Sequence, residues 1–333
     1  MSGERRTLRG SPVVAAPGKL FLLGEYAVLE GAPAVVAAVT RYAVGQYVIG
    51  IEPQSSFARA AVEAGLRGIG DRAAAMPPGS VLIDSTSFRV GGKKLGLGSS
   101  AAVVVVGVGA VLEMAGTPLA QNQALCFELA NEAHRAAQGG VGSGADVAAA
   151  VHGGLIQYRR GRPGSGDGRA VIAPLTKPAA LELVVFCEGQ PASTPDLIRL
   201  VEAYAELRPA AYARLMTQLE DQVETFIEAI AGANLTAAIS VARDYAAGLG
   251  ELGERAHAPI VTARFELAAD LAMNLGGVAK PSGAGGGDVG VGMFAEAEGA
   301  RIFASRLDEL GLRVLDLAID LNGVHRRLPA SNL

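Results

Sequence analysis

Between Lys94 and Ala102 the chain reads Lys-Leu-Gly-Leu-Gly-Ser-Ser-Ala-Ala, and an apolar run from Val103 to Val111 follows directly. Glycine reaches positive φ without a Cβ clash, so Gly96 and Gly98 let backbone N–H groups turn toward an anion. Ser99 or Ser100 is placed to cap the helix that the apolar run predicts. The N-terminus of that helix would offer unpaired N–H groups and a positive dipole end to a phosphate. The stretch therefore reads as a nucleotide-phosphate cradle, with Lys94, Gly96, Leu97, Gly98, Ser99, Ser100 and Ala101 as candidate nucleotide-binding residues. The helix is apolar on every side, which predicts burial; its β-branched valines leave a buried strand as the alternative. Gly96-x-Gly98-x-x-Ala101 also fits a dinucleotide-binding fingerprint, but the preceding Val90–Lys94 makes a poor strand end for one.

Charge narrows the partners. A formal net charge of −4 in 333 residues leaves no basic footprint for nucleic acid. Lysine is scarce: Lys19, Lys93, Lys94, Lys177 and Lys280 are the only five, and four of these lie in or beside glycine-rich stretches. That placement suggests point charges aimed at phosphate. Cys126 and Cys187 sit in apolar surroundings and read as small buried hydrophobes, with no disulfide framework and no zinc spacing. The start of the chain shows no signal-peptide core, and the apolar run from Ala101 to Leu112 is too short to span a bilayer. A soluble, cytoplasmic protein acting on a small molecule is expected.

Along the chain, Val13–Ala16 is expected as a strand broken by Pro17-Gly18, with Ala34–Val39 and Ala43–Ile51 as further strands. Phe57–Ala75 reads as a helix, and Val81–Ile83 and Phe88–Val90 as short strands. Thr117 and Pro118 should cap and start a helix whose buried stripe is Cys126, Leu129, Ala130, Ala133 and Ala137. Leu155–Tyr158 and Leu181–Cys187 read as strands. Arg159–Arg169 reads as a solvated surface loop and a domain margin. Helices should fill Asp196–Asn274, broken near Pro209, Gly232, Gly248–Gly253 and Pro259. Val289–Phe294 and Arg313–Leu321 should be strands on either side of a last helix.

Three glycine motifs recur in order: Ala16-Pro17-Gly18-Lys19 with Gly24-Glu25-Tyr26; Gly96-Leu97-Gly98-Ser99-Ser100-Ala101; and Lys280-Pro281-Ser282-Gly283-Ala284-Gly285-Gly286-Gly287. Together with Asp146 in Gly142-Ser143-Gly144-Ala145-Asp146, they resemble the GHMP small-molecule kinases over about residues 12–325. The resemblance implies a two-domain α+β fold. An N-terminal α/β domain like ribosomal protein S5 would occupy residues 1–170, and a ferredoxin-like C-terminal domain residues 171–333. It implies ATP as donor and Mg²⁺ as cofactor, with Lys19 and Asp146 catalytic and Ser99 or Ser100 facing the metal. Without the family, Asp146 would read as a helix cap. Substrate-binding residues implied are Lys19, Glu25, Tyr26, Ser143, Gly144, Asp146, Ser193, Thr194, Ser282, Gly283, Ala284 and Gly285. Glu25 would fix Lys19 or end a strand in solvent. A homodimer is compatible with all of this. No Walker-type G-x-x-x-x-G-K-[ST] occurs.

Within that family, four features look more like phosphomevalonate kinases than mevalonate kinases. Tyr26 stands where mevalonate kinases usually carry His. Gly189-x-Pro191-Ala192-Ser193-Thr194 resembles a phosphomevalonate kinase loop. Asp288 ends the third motif. His134 aligns where mevalonate kinases place a magnesium-binding Glu, with Glu132 nearby as a substitute. His152, His257 and His325 show no metal-ligand spacing. A phosphate acceptor changes the chemistry: its second pKa of about 6 delivers it largely deprotonated, so Asp146 would orient and balance charge more than abstract a proton.

Overall fold

The structure, a computed structural model, describes residues 11–140, 142–161, 169–189 and 193–327. The fold is α+β and, among these residues, holds two main antiparallel sheets. In the first, β1 (Val13–Leu23) and β2 (Pro33–Ile49) form the centre. β2 also pairs with β3 (Gly79–Asp84) and β6 (Leu155–Arg159), and β6 with β7 (Val171–Leu175). β12 (His325–Arg327) closes the other side through Val13↔Arg327, Val14↔Arg326 and Ala15↔His325. The first sheet thus takes strands from beyond residue 170.

Pro17-Gly18 does not end β1. The partner strand absorbs it in a bulge, with Pro17 opposite Tyr42 and Gly18 opposite Val39, so the two strands expected from Ala34 to Ile51 are one. A short ribbon of β4 (Arg89–Val90) and β5 (Lys93–Lys94) leads into α2 (Ser99–Met114). α2 is the buried helix that its all-round apolar sequence predicts, lying against β1, β2, α1 (Ser56–Gly68) and α3 (Gln123–Ala137). Cys126, Ala130 and Ala133 of α3 are buried, whereas Leu129 is only partly covered. Cys126 and Cys187 are free and buried. Thr117-Pro118 starts no α-helix: the Thr117 N–H closes the end of α2 on Leu112 O, Pro118 is extended, and Glu113 Oε1 accepts from Leu119 N–H at 2.7 Å. α3 begins after Asn122 instead.

The second sheet runs β11 (Arg313–Leu315), β8 (Glu182–Cys187), β10 (Val289–Phe294), β9 (Val278–Pro281). Four helices precede β9: α5 (Thr194–Leu207), α6 (Pro209–Ala231), α7 (Leu235–Ala256) and α8 (Ala263–Asn274). The break expected at Gly248–Gly253 is absent. Gly248 lies inside α7 where a Cβ would stand 2.7 Å from Leu219, so it serves the crossing with α6. The strand expected to Leu321 stops at Leu315. The chain then crosses to the first sheet, where Asp320 N–H donates to Ala38 O at 2.9 Å. Arg159 is not merely solvated: it bonds Gly31 O, Glu220 and Glu224, joining β6 to α6. Residues 162–168 of that loop lie outside the described residues.

Phe186, Phe265, Phe294 and Phe303 pack beneath the second sheet, with Phe186 edge-on to Phe265 at 5.2 Å and to Phe303 at 5.8 Å. Phe186→Ala should lower the free energy of unfolding by about 3–5 kcal/mol, read from urea denaturation, because this cluster lies under rigid strands and cannot close the gap.

Candidate active site

Gly18 has its Cα against the second glycine turn: a Cβ there would stand 2.7 Å from Leu97 O. Next to it, Lys19 N–H donates to Leu97 O at 2.9 Å. Leu97 and Ala101 are buried, so they contribute backbone and packing to the site and no side chain to the cavity. Gly98 holds the left-handed conformation (φ 77°) at the head of α2, where a Cβ would stand 2.8 Å from Lys19 Cγ and 3.7 Å from Asp146 Cβ. Glycine alone meets both demands there. Neither serine caps the helix: Gly98 occupies that position and no side chain caps it. Ser99 and Ser100 are instead the first two helical residues. Their N–H groups belong to the turn that lacks intrahelical partners.

The third motif reaches the same place from the second sheet. Ser282 Oγ accepts from Phe21 N–H at 2.8 Å, and the Tyr26 hydroxyl donates to Ala284 O at 2.7 Å. Tyr26 itself sits at φ 61°, a strained value for a side-chain-bearing residue. Lys19 Nζ lies where a Cβ on Gly283 would be 3.1 Å away. Gly285 does not face the cavity; its Cα packs on the Ile260 backbone.

A cavity of about 330 Å³ results, lined by Lys19, Glu25, Tyr26, Lys94, Gly96, Gly98, Ser99, Ser100, Ser143, Asp146, Thr194, Ser282, Gly283 and Ala284. Phe21, Val28, Leu29, Gln138, Gly142, Ile198 and Asp288 complete its wall. Gly144 is the head of α4 (Ala145–His152) rather than part of the wall, and Asp146 is in that helix's first turn, not its cap. Ser193 is exposed at the start of α5 and away from the cavity, whereas Thr194 lines it. Pro191 and Ala192 of the expected acceptor loop lie outside the described residues. Glu132 is exposed and paired with Arg67, so it has no part in the site. His134 is buried behind its wall: Nε2 lies 3.0 Å from Ser100 Oγ and 3.9 Å from Asp146 Oδ2.

Glu25 fixes a different lysine from the one expected. It is buried and paired with Lys280, whose ammonium also donates to Pro281 O at 2.6 Å. The other Glu25 oxygen, Oε2, has no partner among the described residues. Burial lowers the pKa of both lysines. Asp146, Asp288 and Glu25 oppose this for Lys19, and Glu25 opposes it for Lys280. With Lys280 tied to Glu25, Lys19 is the buried cation that faces the cavity. Asp288, which the motif pattern marks only as a subfamily difference, stands over Gly96, where a side chain on Gly96 would overlap its carboxylate. Burial pushes the Asp288 carboxyl up to about 6 despite the attraction of Lys19.

Residues 81–154 match the model of the GHMP kinases N-terminal domain. A Streptomyces phosphomevalonate kinase is 31% identical over 283 residues, spanning 79% of this chain and 74% of that protein. The chain belongs to the GHMP kinases, among the phosphomevalonate kinases. A Listeria innocua protein has the same fold with a TM-score of 0.83 at 25% identity, covering 95% of this chain and 99% of that one. So does Streptococcus pneumoniae phosphomevalonate kinase in complex with phosphomevalonate and AMPPNP, with a TM-score of 0.79, 22% identity, and coverage of 92% and 99%. In this GHMP kinase chain, no helix among the described residues is long and apolar enough to cross a membrane.

Two outcomes follow from the buried charges. Lys280→Met strands the Glu25 carboxylate and should cost about 3–5 kcal/mol in denaturant unfolding, while Lys280→Met with Glu25→Gln should recover most of it. Asp288 binds its proton more tightly folded than unfolded between its ordinary 3.8 and about 6. Stability is therefore lost as pH rises through that window. Asp288→Asn should raise stability by about 1–2 kcal/mol at pH 7–8 and leave it unchanged near pH 4, measured by urea melts across pH.

Proposed function

We propose that this chain transfers the γ-phosphoryl group of ATP to phosphomevalonate, forming diphosphomevalonate and ADP. The observation that carries the reading is the meeting at Gly98: a Cβ on the phosphate-cradle turn there would stand against both the Lys19 stem and the Asp146 side chain. The 31%-identical Streptomyces phosphomevalonate kinase supports the choice of acceptor.

Phosphoryl transfer needs position and charge balance more than covalent help from the protein. The head of α2, with Gly96 and Gly98, would receive the nucleotide phosphates on backbone N–H groups. Lys94 stands exposed at the rim, where it would attract the polyphosphate. Lys19, buried beside the reacting group, would balance charge gathering on the transferred phosphoryl and on the acceptor phosphate. An acceptor phosphate oxygen would attack the γ-phosphorus as the bond to ADP breaks. Asp146 would orient the acceptor rather than take a proton, because a phosphomonoester is already largely ionised. Tyr26, Ser143, Thr194, Ser282, Gly283 and Ala284 would shape the acceptor end of the cavity. The hydroxyls of Ser99 and Ser100 and the part-exposed Asp146 carboxylate form a hard oxygen donor set. That set suits Mg²⁺ held jointly with nucleotide phosphates. When bound, Mg²⁺ neutralises phosphate charge and holds the nucleotide in one geometry.

A coupled ADP-release assay with phosphomevalonate and with mevalonate checks the acceptor. Turnover is expected with the phosphorylated acceptor, and turnover of mevalonate alone would overturn the assignment. Lys19→Ala and Asp146→Asn should each lower kcat by about 10²–10³-fold while unfolding stays cooperative.

A further inference from the structure

α3 ends at the cavity wall, where Gln138 lines it, and one turn earlier His134 lies buried behind that wall. The ring continues the buried face that Cys126 and Ala130 begin eight and four residues earlier, and it is 2% exposed. Phe57 of α1 packs on it with ring centroids 5.7 Å apart and planes 36° apart, which leaves it little room to swing. A histidine kept only for packing needs any polar partner for its ring nitrogen. Here the groups near Nε2 are both cavity residues: Ser100 Oγ at 3.0 Å and Asp146 Oδ2 at 3.9 Å. Ser100 is the second residue of α2 and Asp146 the second of α4. One imidazole is therefore bonded to the head of the helix that would receive the nucleotide and lies beside the head of the one that would receive the acceptor.

We infer that His134 is a positioning residue, which through Nε2 sets the rotamer of the Ser100 hydroxyl and holds it at a fixed place beside Asp146. This rests on the phosphoryl-transfer reading above. A serine in the first turn of a helix is otherwise free to change rotamer or to bond its own backbone. Either change moves an oxygen that must meet phosphate and cation within a fraction of an ångström. Partners that stand behind a ligating group commonly govern affinity or rate by about 10–100-fold.

His134→Phe keeps a ring against Phe57 and removes Nε2; His134→Gln restores a polar atom at similar reach. The readout is Mn²⁺ binding to the full chain with a non-hydrolysable ATP analogue, followed by electron paramagnetic resonance, alongside kcat and KM for the acceptor. His134→Phe should weaken Mn²⁺ binding and lower kcat by about 10–100-fold each with the acceptor KM unchanged, and His134→Gln should recover most of both. Because the effect runs through Ser100, adding His134→Phe to Ser100→Ala should change Mn²⁺ binding by less than about twofold. Losses that multiply, or a His134→Gln variant no better than His134→Phe, overturn the inference. Should His134→Phe fail to fold, Ser100→Ala is expected to shift the ring ¹⁵N resonances of His134, and unmoved resonances overturn it. Mn²⁺ binding does not involve the acceptor. A wild-type chain that passes the Mn²⁺ tests yet phosphorylates no phosphomevalonate sinks the proposed function and leaves this inference standing.

Discussion

The site depends on one edge of one strand. β12 covers β1 only from Val13 to Ala15, so beyond that point the edge facing away from β2 needs other partners. A buried backbone N–H without an acceptor costs as much as a lost hydrogen bond. The acceptors come from the two remote glycine turns: Leu97 O serves Lys19 N–H, and Ser282 Oγ serves Phe21 N–H. Alternate residues of a strand point their N–H groups the same way, so Lys19 and Phe21 place these two turns side by side. The cavity is bounded by hydrogen bonds from the β1 backbone before any ligand enters it.

Charge is distributed over this frame unevenly. Two lysines from different motifs are buried, which loosens the hold of each on its proton, and Lys19 adds to this for Lys280. Glu25 compensates Lys280 at short range, which turns that pair into a structural tie between the end of β1 and β9. Lys19 has only looser compensation from Asp146 and Asp288, so its charge remains available to an incoming phosphate. Burial, against the pull of Lys19, makes Asp288 keep its proton to higher pH than an exposed carboxylate would.

The sequence was legible where the signal was local. Glycine turns, five scarce lysines and an all-apolar helix each announce themselves within a few residues, and the structure brings Lys19, Gly98, Ser100, Asp146 and Ser282 to one cavity. What was hidden depends on distant partners. β9 and β12 are too short to be read from periodicity and exist because a neighbouring strand is waiting. Pro17-Gly18 looks like a break, yet β2 bulges around it. Phe21, Val28 and Ile198 are ordinary apolar residues until the fold turns them toward the cavity. Gly285 and Ser193 fail as wall residues for a similar reason: one is spent on Ile260 and the other on the entrance to α5.

The pairing of Val13 with Arg327 bears on how the chain is made. A ribosome releases β1 long before β12. Until β12 emerges the start of β1 lacks a neighbour on one side, and until the turn carrying Ser282 emerges the Phe21 N–H lacks its acceptor. The nascent first sheet must wait with hydrophobic surface uncovered, a period in which such intermediates are prone to aggregate. For this fold, the cavity cannot close before the turn carrying Ser282 has left the ribosome.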